Sequence, residues 1–466
     1  MNMNSRRKFL KSATMASLGM IGLMKFTHNP LLAASHMPNL PGYGALVQDK
    51  AGMLNLPKGF SYKVVSKKGA PMTDGFLTPG RPDGMATFAG PKGRVIIIRN
   101  HEISPTDLES SPFGSNYELL SKIKKTQLYD YGSGEMPALG GTTTMVYNPA
   151  TQEVETSYLS LTGTIRNCAG GPTPWNSWIS CEEDVTLKGQ VNGKLEQDHG
   201  YNFEVLASEK IMLREPVPLK AMGRMNHEAV AVHPPSGIVY QTEDRPDSLI
   251  YRFLPNEKGN LQKGGKLQAL AIKGESGMDT RNWPHLEATI FPQGKDFEVF
   301  WIDLDDVEAP EDDLRMRGHA LGAARFARGE GMWMGNNELY FACTNGGANE
   351  QGQIFKYKPS KYEGQGEEKN TPGLLTLFVE PNNSVLLRNC DNLTVAPWGD
   401  VITCEDNPHP FVVGISPEGK YYRLAENIGF ESEMAGGVFS PSGETFFVNI
   451  QDAGLTLAIT GPWHAR

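Results

Sequence analysis

The sequence predicts an all-β fold of many short strands, and three observations carry that prediction. Short runs of β-branched and aromatic residues recur along the whole chain, broken by Gly, Pro, Asn and Asp. The 51 glycines and 32 prolines suit frequent turns far better than long helices. A turn–strand–acid unit also appears twice, far apart in the chain. The length of 466 residues would by itself permit about three domains. No linker or low-complexity tract divides the chain, however, so residues 36–466 are read as one domain.

The first element is an export signal over residues 1–35. Ser5-Arg6-Arg7-Lys8-Phe9-Leu10-Lys11 precedes a weakly apolar run, and Ala33-Ala34-Ser35 offers small residues for cleavage. The pattern is similar to the bacterial twin-arginine signal. It predicts a protein handed folded to the twin-arginine translocation machinery and delivered to the periplasm or secreted. The apolar run is too short for a membrane span of ~20 residues, and no later segment qualifies.

Strand-like runs follow at 94–99, 142–147, 177–181, 228–232, 238–242, 297–304, 338–343, 374–378, 400–404 and 445–450. Pro234-Pro-Ser-Gly237, Ser416-Pro-Glu-Gly419 and Ser440-Pro-Ser-Gly443 read as hairpin turns. Helical spacing is confined to 116–125 and 312–329, read as short helical insertions. The repeated unit is Arg166-Asn-Cys168, Pro174-Trp175 and Ile179-Ser-Cys181-Glu182-Glu183. It parallels Arg388-Asn-Cys390, Pro397-Trp398 and Ile402-Thr-Cys404-Glu405-Asp406. Such copies imply equivalent positions in different blades of a β-propeller. Asn-His-Glu likewise occurs twice, at Asn100–Glu102 and Asn226–Glu228.

Net charge is −9, although the first 35 residues carry five basic and no acidic side chains. The rest of the chain is therefore more acidic still. That balance argues against nucleic acid or an anionic membrane as partner and suits cations. The sequence has no Gly-x-Ser-x-Gly elbow, His-Glu-x-x-His, Cys-x-x-Cys or Walker loop. Instead, acids stand at strand ends: Glu102, Glu182-Glu183-Asp184, Glu228, Glu243-Asp244 and Glu405-Asp406. Carboxylates converging from several blades on one axis repel one another unless cations neutralise them. Hard oxygen donors select Ca²⁺, Mg²⁺ or Fe³⁺, and a thiolate among them favours a transition metal. Cys181, beside two glutamates, is the candidate thiolate. Cys404 is its counterpart in the repeat, read as structural, and Cys168, Cys343 and Cys390 are read as buried or disulfide-bonded. His101 and His227 are read as hydrogen-bonding residues that orient the adjoining glutamates. The acidic stretch 303–313 is read as solvated surface.

Several of these motifs together resemble the bacterial PhoX-type alkaline phosphatases: the twin-arginine signal, Asn100-His-Glu102, Thr173-Pro-Trp-x-x-Trp-Ile-Ser-Cys-Glu-Glu183, Gly223-Arg-x-x-His-Glu228 and Phe447-Val-Asn-Ile-Gln451. The motifs span nearly the whole chain. The resemblance implies a six-bladed β-propeller whose channel mouth holds an Fe³⁺–Ca²⁺ cluster that hydrolyses phosphomonoesters; the chain is separately expected to be a monomer. It implies Glu102, Cys181, Glu183, Glu228, Asp244 and Glu330 as metal ligands. In Arg328-Gly-Glu330, Gly stands where the family has Pro, and Arg328 is the implied catalytic and phosphate-holding residue. Asn100 is a second implied substrate contact. Asp391-Asn-Leu393 and Glu433-Met-Ala-Gly436 resemble segments near the family's site. Two rival readings remain: a Ca²⁺-dependent, lactonase-like propeller hydrolase, which needs neither Cys181 nor Arg328, and a non-catalytic binding propeller.

Overall fold

The computed structural model describes residues 42–464, so the twin-arginine segment lies outside the described residues. Among the described residues the strands form five antiparallel sheets. The first runs in sequence order through Pro82–Ala89, Val95–His101, Gly140–Asn148 and Glu153–Thr164. The second comprises Asn167–Pro172, Ser177–Glu182 and Asn202–Leu206. A nine-stranded sheet starts at His227–Val232 and runs outward to Asp296–Asp303. There it meets Leu374–Val379 and runs back inward to Gly329–Gly335. Cys390–Val395, Val401–Glu405, Phe411–Ile415 and Tyr421–Asn427 form the next sheet, extended by Leu54–Pro57 and Leu46–Val47. The last joins Met434–Phe439, Thr445–Ile450 and Leu455–Thr460 to Ser61–Lys67.

This is a propeller-like all-β fold. The strands Pro82–Ala89, Asn167–Pro172, His227–Val232, Gly329–Gly335, Cys390–Val395 and Met434–Phe439 pack one against the next, and the last meets the first. Their small residues permit that approach: a Cβ at Gly84 would lie 2.6 Å from Ala169 Cα, and one at Gly331 2.5 Å from Leu393 N. Gly84, Ala169, Ala229, Gly331, Asn392 and Gly436 thus line a narrow central cavity. Pairing Ser61–Lys67 with the C-terminal strand ties the two ends of the chain together and covers a sheet edge. The closure is sealed by Trp463, packed against Phe60 and Phe439 at 4.7 and 5.0 Å between ring centroids. Tyr43 adds a hydroxyl hydrogen bond to the Trp463 carbonyl at 2.8 Å.

Each of the ten predicted strand runs coincides with a strand, and the three Pro-Gly turns close hairpins as expected. The helical insertions are shorter than predicted. Residues 312–329 yield one helix, Leu314–Ala320, which ends where Gly322 turns left-handed at φ 108°. Residues 116–125 form 3₁₀ turns at Leu120–Lys122 and Lys125–Gln127 instead. Tyr117, at φ 59°, breaks the helical path there, and Leu120 and Ile123 turn into an apolar cluster with Met72, Phe76 and Phe113. Packing overrides local spacing at this point.

Candidate functional site

One structural unit recurs at one end of all six inner strands. The residue that follows each second strand donates its backbone N–H to the carbonyl of the residue preceding the inner strand. The pairs are Glu102 to Arg81, Glu183 to Arg166, Asp244 to Asn226, Thr344 to Arg328, Asp406 to Asn389 and Gln451 to Glu433, at 2.9–3.3 Å. A register shift then follows within the first residues of every inner strand, a β-bulge that re-aims the side chains beside it. The five residues Asp83, Cys168, Glu228, Glu330 and Asp391 occupy the same place in that bulge. The folded chain therefore presents two tiers of acids around one opening, the bulge residues and the strand-end residues.

Two groups of side chains come close enough to share an ion. Ligand atoms of Glu102, Cys168 and Glu183 lie within 4.8 Å of one another, as do those of Glu228, Glu330 and Asp391. Cys168 Sγ joins the groups, 3.2 Å from Glu228 Oε1 and 3.8 Å from Asp83 Oδ2. Glu228 Oε2 and Asp83 Oδ1 are buried without a hydrogen-bond partner. Unpartnered carboxylate oxygens of this kind are costly unless a cation takes them. Both the orphaned oxygens and the donor set, hard carboxylates with one thiol, fit bound metal.

Proton affinities report the same crowding. Burial, then repulsion from Glu102 and Asp244, raises Glu183 to about 8 against the pull of Arg166. Asp391 rises to about 7 through burial and the nearby Asp406. Asp83, Glu228 and Glu330 are pushed well above the carboxylate range, first by burial and then by one another and their neighbours. Groups with raised folded pKa values stabilise fully below their unfolded values near 4, and that contribution is lost as pH climbs through about 7–8. Chelator-treated protein is therefore expected to melt at a lower temperature at pH 8.5 than at pH 5.5, and added divalent cation should abolish the difference by recovering the stability lost at pH 8.5. Equal melting at both pH values would refute the repulsion argument.

The predicted site residues divide clearly. Glu102, Glu183, Glu228, Asp244 and Glu330 all reach the opening. Arg328 does too, its Nε and Nη2 each 2.8 Å from the Asp244 carboxylate and its Nη2 3.1 Å from Glu330. Cys181 does not. On the strand Ser177–Glu182 it shares the face of Ile179 and is fully buried among Leu219, Met222, Met225 and Val230. The alternation of a strand sends its thiol into the core. Cys168 occupies the opening in its place, and all five cysteines are free and buried.

Asn100 also departs from expectation, since its amide is spent within the core. It donates to the carbonyls of Cys168 and Ala169 and accepts from Trp178 Nε1 and Ser180 Oγ, so no polar atom is left for substrate. Asn100→Ala would strand four buried partners and should cost on the order of 3 kcal/mol. Chemical denaturation would read it, and a loss under about 0.5 kcal/mol would contradict the bonding. His101 and His227 brace neighbouring backbone and make no hydrogen bond to the adjoining glutamates. His101 bonds the Gly80 carbonyl and Thr143, and His227 the Gly223 carbonyl.

Where two acids adjoin, they divide the work. Glu182, Glu243 and Glu405 turn inward as braces, while Glu183, Asp244 and Asp406 face the opening. Glu182 accepts from the backbone of Ile165, Gly200 and Tyr201 and from His199. Glu405 accepts from Arg388 N and Phe411 N, and Glu243 from the Tyr251 hydroxyl. Sequence reasoning missed Asp83, Cys168, Arg81, Arg166 and Gln451. The last donates its side-chain amide to both Asp83, at 2.7 Å, and Glu102, at 2.9 Å. The repeat was a usable signal but slid by one residue. Asn167 pairs with Glu182 and Cys390 with Glu405, so Asp391 is the counterpart of Cys168.

Comparison with known proteins gives the family. The family described as alkaline phosphatase PhoX matches residues 41–454. The chain belongs to that family and is a phosphomonoester hydrolase. Among solved structures it is similar to PhoX of Pseudomonas fluorescens, solved with vanadate, a transition-state analogue. Identity is 16%, with 88% of this chain and 96% of the other covered at a TM-score of 0.61. A gluconolactonase of Xanthomonas campestris is a looser likeness, 10% identical, with 91% and 99% covered at a TM-score of 0.41. No curated protein matches the chain by sequence. Among the described residues, no helix is long and apolar enough to cross a membrane.

Proposed function

We propose that the protein hydrolyses phosphomonoesters at a mixed Fe³⁺–Ca²⁺ centre in the mouth of a six-bladed propeller. The blade count takes the nine-stranded sheet as two blades joined where Asp296–Asp303 meets Leu374–Val379. What supports the count is the recurrence of one strand-end unit at all six inner strands. The observation that carries the metal reading is the pair of three-ligand groups, one of which includes the Cys168 thiol. Glu102, Cys168 and Glu183 would hold the softer-liganded ion, and Glu228, Glu330 and Asp391, with Asp244 nearby, the harder one. Bound there, the ions would supply Lewis acidity that draws charge from the phosphoryl oxygens.

The chain's own residues do the remainder. Arg328 is fixed by Asp244 through Nε and Nη2, so its planar fork is oriented before a substrate arrives. Glu228, Glu330 and Asp391 are themselves buried, so charge interactions at their carboxylates are stronger than in bulk water. Folded export by the twin-arginine route to the periplasm, as a monomer, suits a protein that acquires iron before leaving the cytoplasm. Elemental analysis of protein exported with its own signal and purified without chelator should find both iron and calcium. Calcium alone would instead favour a lactonase-like hydrolase.

A further inference from the structure

Three arginines stand at the same place in the recurring unit: Arg81, Arg166 and Arg328 immediately precede their inner strands. All three adopt left-handed backbone, at φ 44°, 47° and 46°. Such a conformation is uncommon for a long side chain and is retained where the surrounding structure imposes it. Arg81 is fully engaged. Its Nε bonds the Glu102 carbonyl at 3.2 Å, its Nη1 Asp452 at 2.6 Å and its Nη2 Gln451 at 2.7 Å.

Arg166 and Arg328 are held differently, and alike. Arg328 spends Nε and Nη2 on the acids of the opening. Arg166 spends Nε on the Glu183 carbonyl at 3.3 Å and Nη2 on Glu183 and, at 2.6 Å, on Glu102. In both, Nη1 has no hydrogen-bond partner among the described residues, and the two side chains are 37% and 34% exposed. Between them in the ring lies Asn226, uncharged, its amide turned to Glu183 and to the Asp244 carbonyl. Two pre-oriented guanidiniums therefore flank one neutral position, each with one N–H edge unbonded at a mouth rich in acids.

We propose that Arg166 is a second phosphate-binding residue, opposed to Arg328, and that the two guanidiniums grip one phosphoryl group from both sides. This rests on the phosphatase reading and deepens it: the pair favours a dianionic monoester over a monoanionic diester, because two fixed cations match two charges. The contacts that hold Nε and Nη2, carboxylates alone for Arg328 and the Glu183 carbonyl with the Glu183 and Glu102 carboxylates for Arg166, leave Nη1 of each for the phosphoryl oxygens.

The test is a double-mutant cycle on inhibition by inorganic phosphate, run on metal-loaded protein with iron and calcium measured for every variant. Arg166→Lys should raise the phosphate inhibition constant roughly tenfold or more at wild-type metal content, as should Arg328→Lys. The double variant should depart from the product of the two factors by roughly threefold or more, since both side chains touch one ligand. Arg166→Gln supplies a neutral second variant. An inhibition constant within twofold of wild type, or effects that multiply independently, would overturn the proposal. So would loss of metal or of folding in both Arg166 variants, which would make the guanidinium a brace for the acids. Wild-type protein that neither binds phosphate nor turns over esters would instead sink the phosphatase reading itself.

Discussion

Cys168→Ser should abolish any visible thiolate-to-iron charge-transfer band and lower phosphomonoester turnover by roughly 10²-fold or more, whereas Cys181→Ser should leave both near wild type. The two cysteines differ only in where the fold aims them. Cys168 Sγ lies 3.2 Å from Glu228 and within a 4.8 Å group with Glu102 and Glu183. Its thiol is pushed well above the ordinary range, first by burial and then by Asp83, Glu228, Glu183 and Glu102, so without a cation it stays protonated. A bound ion reverses that preference and holds the thiolate. Cys181 faces apolar neighbours, and its change to Ser should cost about 1–2 kcal/mol of stability from a poorer buried fit. Absorption spectra, metal content and turnover of the two variants decide the matter. Iron and activity lost from Cys181→Ser but kept in Cys168→Ser would invert the assignment.

Arg328→Lys should cut turnover of p-nitrophenyl phosphate by roughly 10²-fold, on the order of 3 kcal/mol of transition-state stabilisation. Lysine keeps the charge but cannot dock on Asp244 through two parallel N–H bonds while offering a third edge to phosphate. The bidentate contact, 2.8 Å at both nitrogens, is what fixes the guanidinium plane. A neutral lactone, if it is hydrolysed at all, should hardly respond, because it presents no dianion to the fork. Equal loss on both substrates would mark Arg328 as structural. Unchanged phosphatase turnover would remove it from the phosphate site.

The strands, the hairpins and the addresses of most of the acids were legible from local chemistry along the chain: period-two alternation, Pro-Gly turns, and carboxylates placed just past a strand's last residue, as at Glu102, Glu183 and Asp244. What the sequence could not decide was which neighbour of each pair faces the opening. Glu182 and Glu183 look interchangeable in the chain, yet one ends a strand as a buried brace and the other follows it into the mouth. Cys168 was hidden for a related reason. Its direction is set by a bulge between Asn167 and Gly170, a register shift that only the pairing with Ser177–Glu182 creates. The same shift makes Asp391, and not Cys390, the equivalent of Cys168. Asn100 shows the reverse case, a polar residue in a functional motif whose amide the adjoining sheet consumes. Proximity in this site comes from closing the sheets around one axis, which brings residues 83 and 451 within hydrogen-bond reach. Local sequence fixes what each strand end carries, and only the closed ring fixes what it meets.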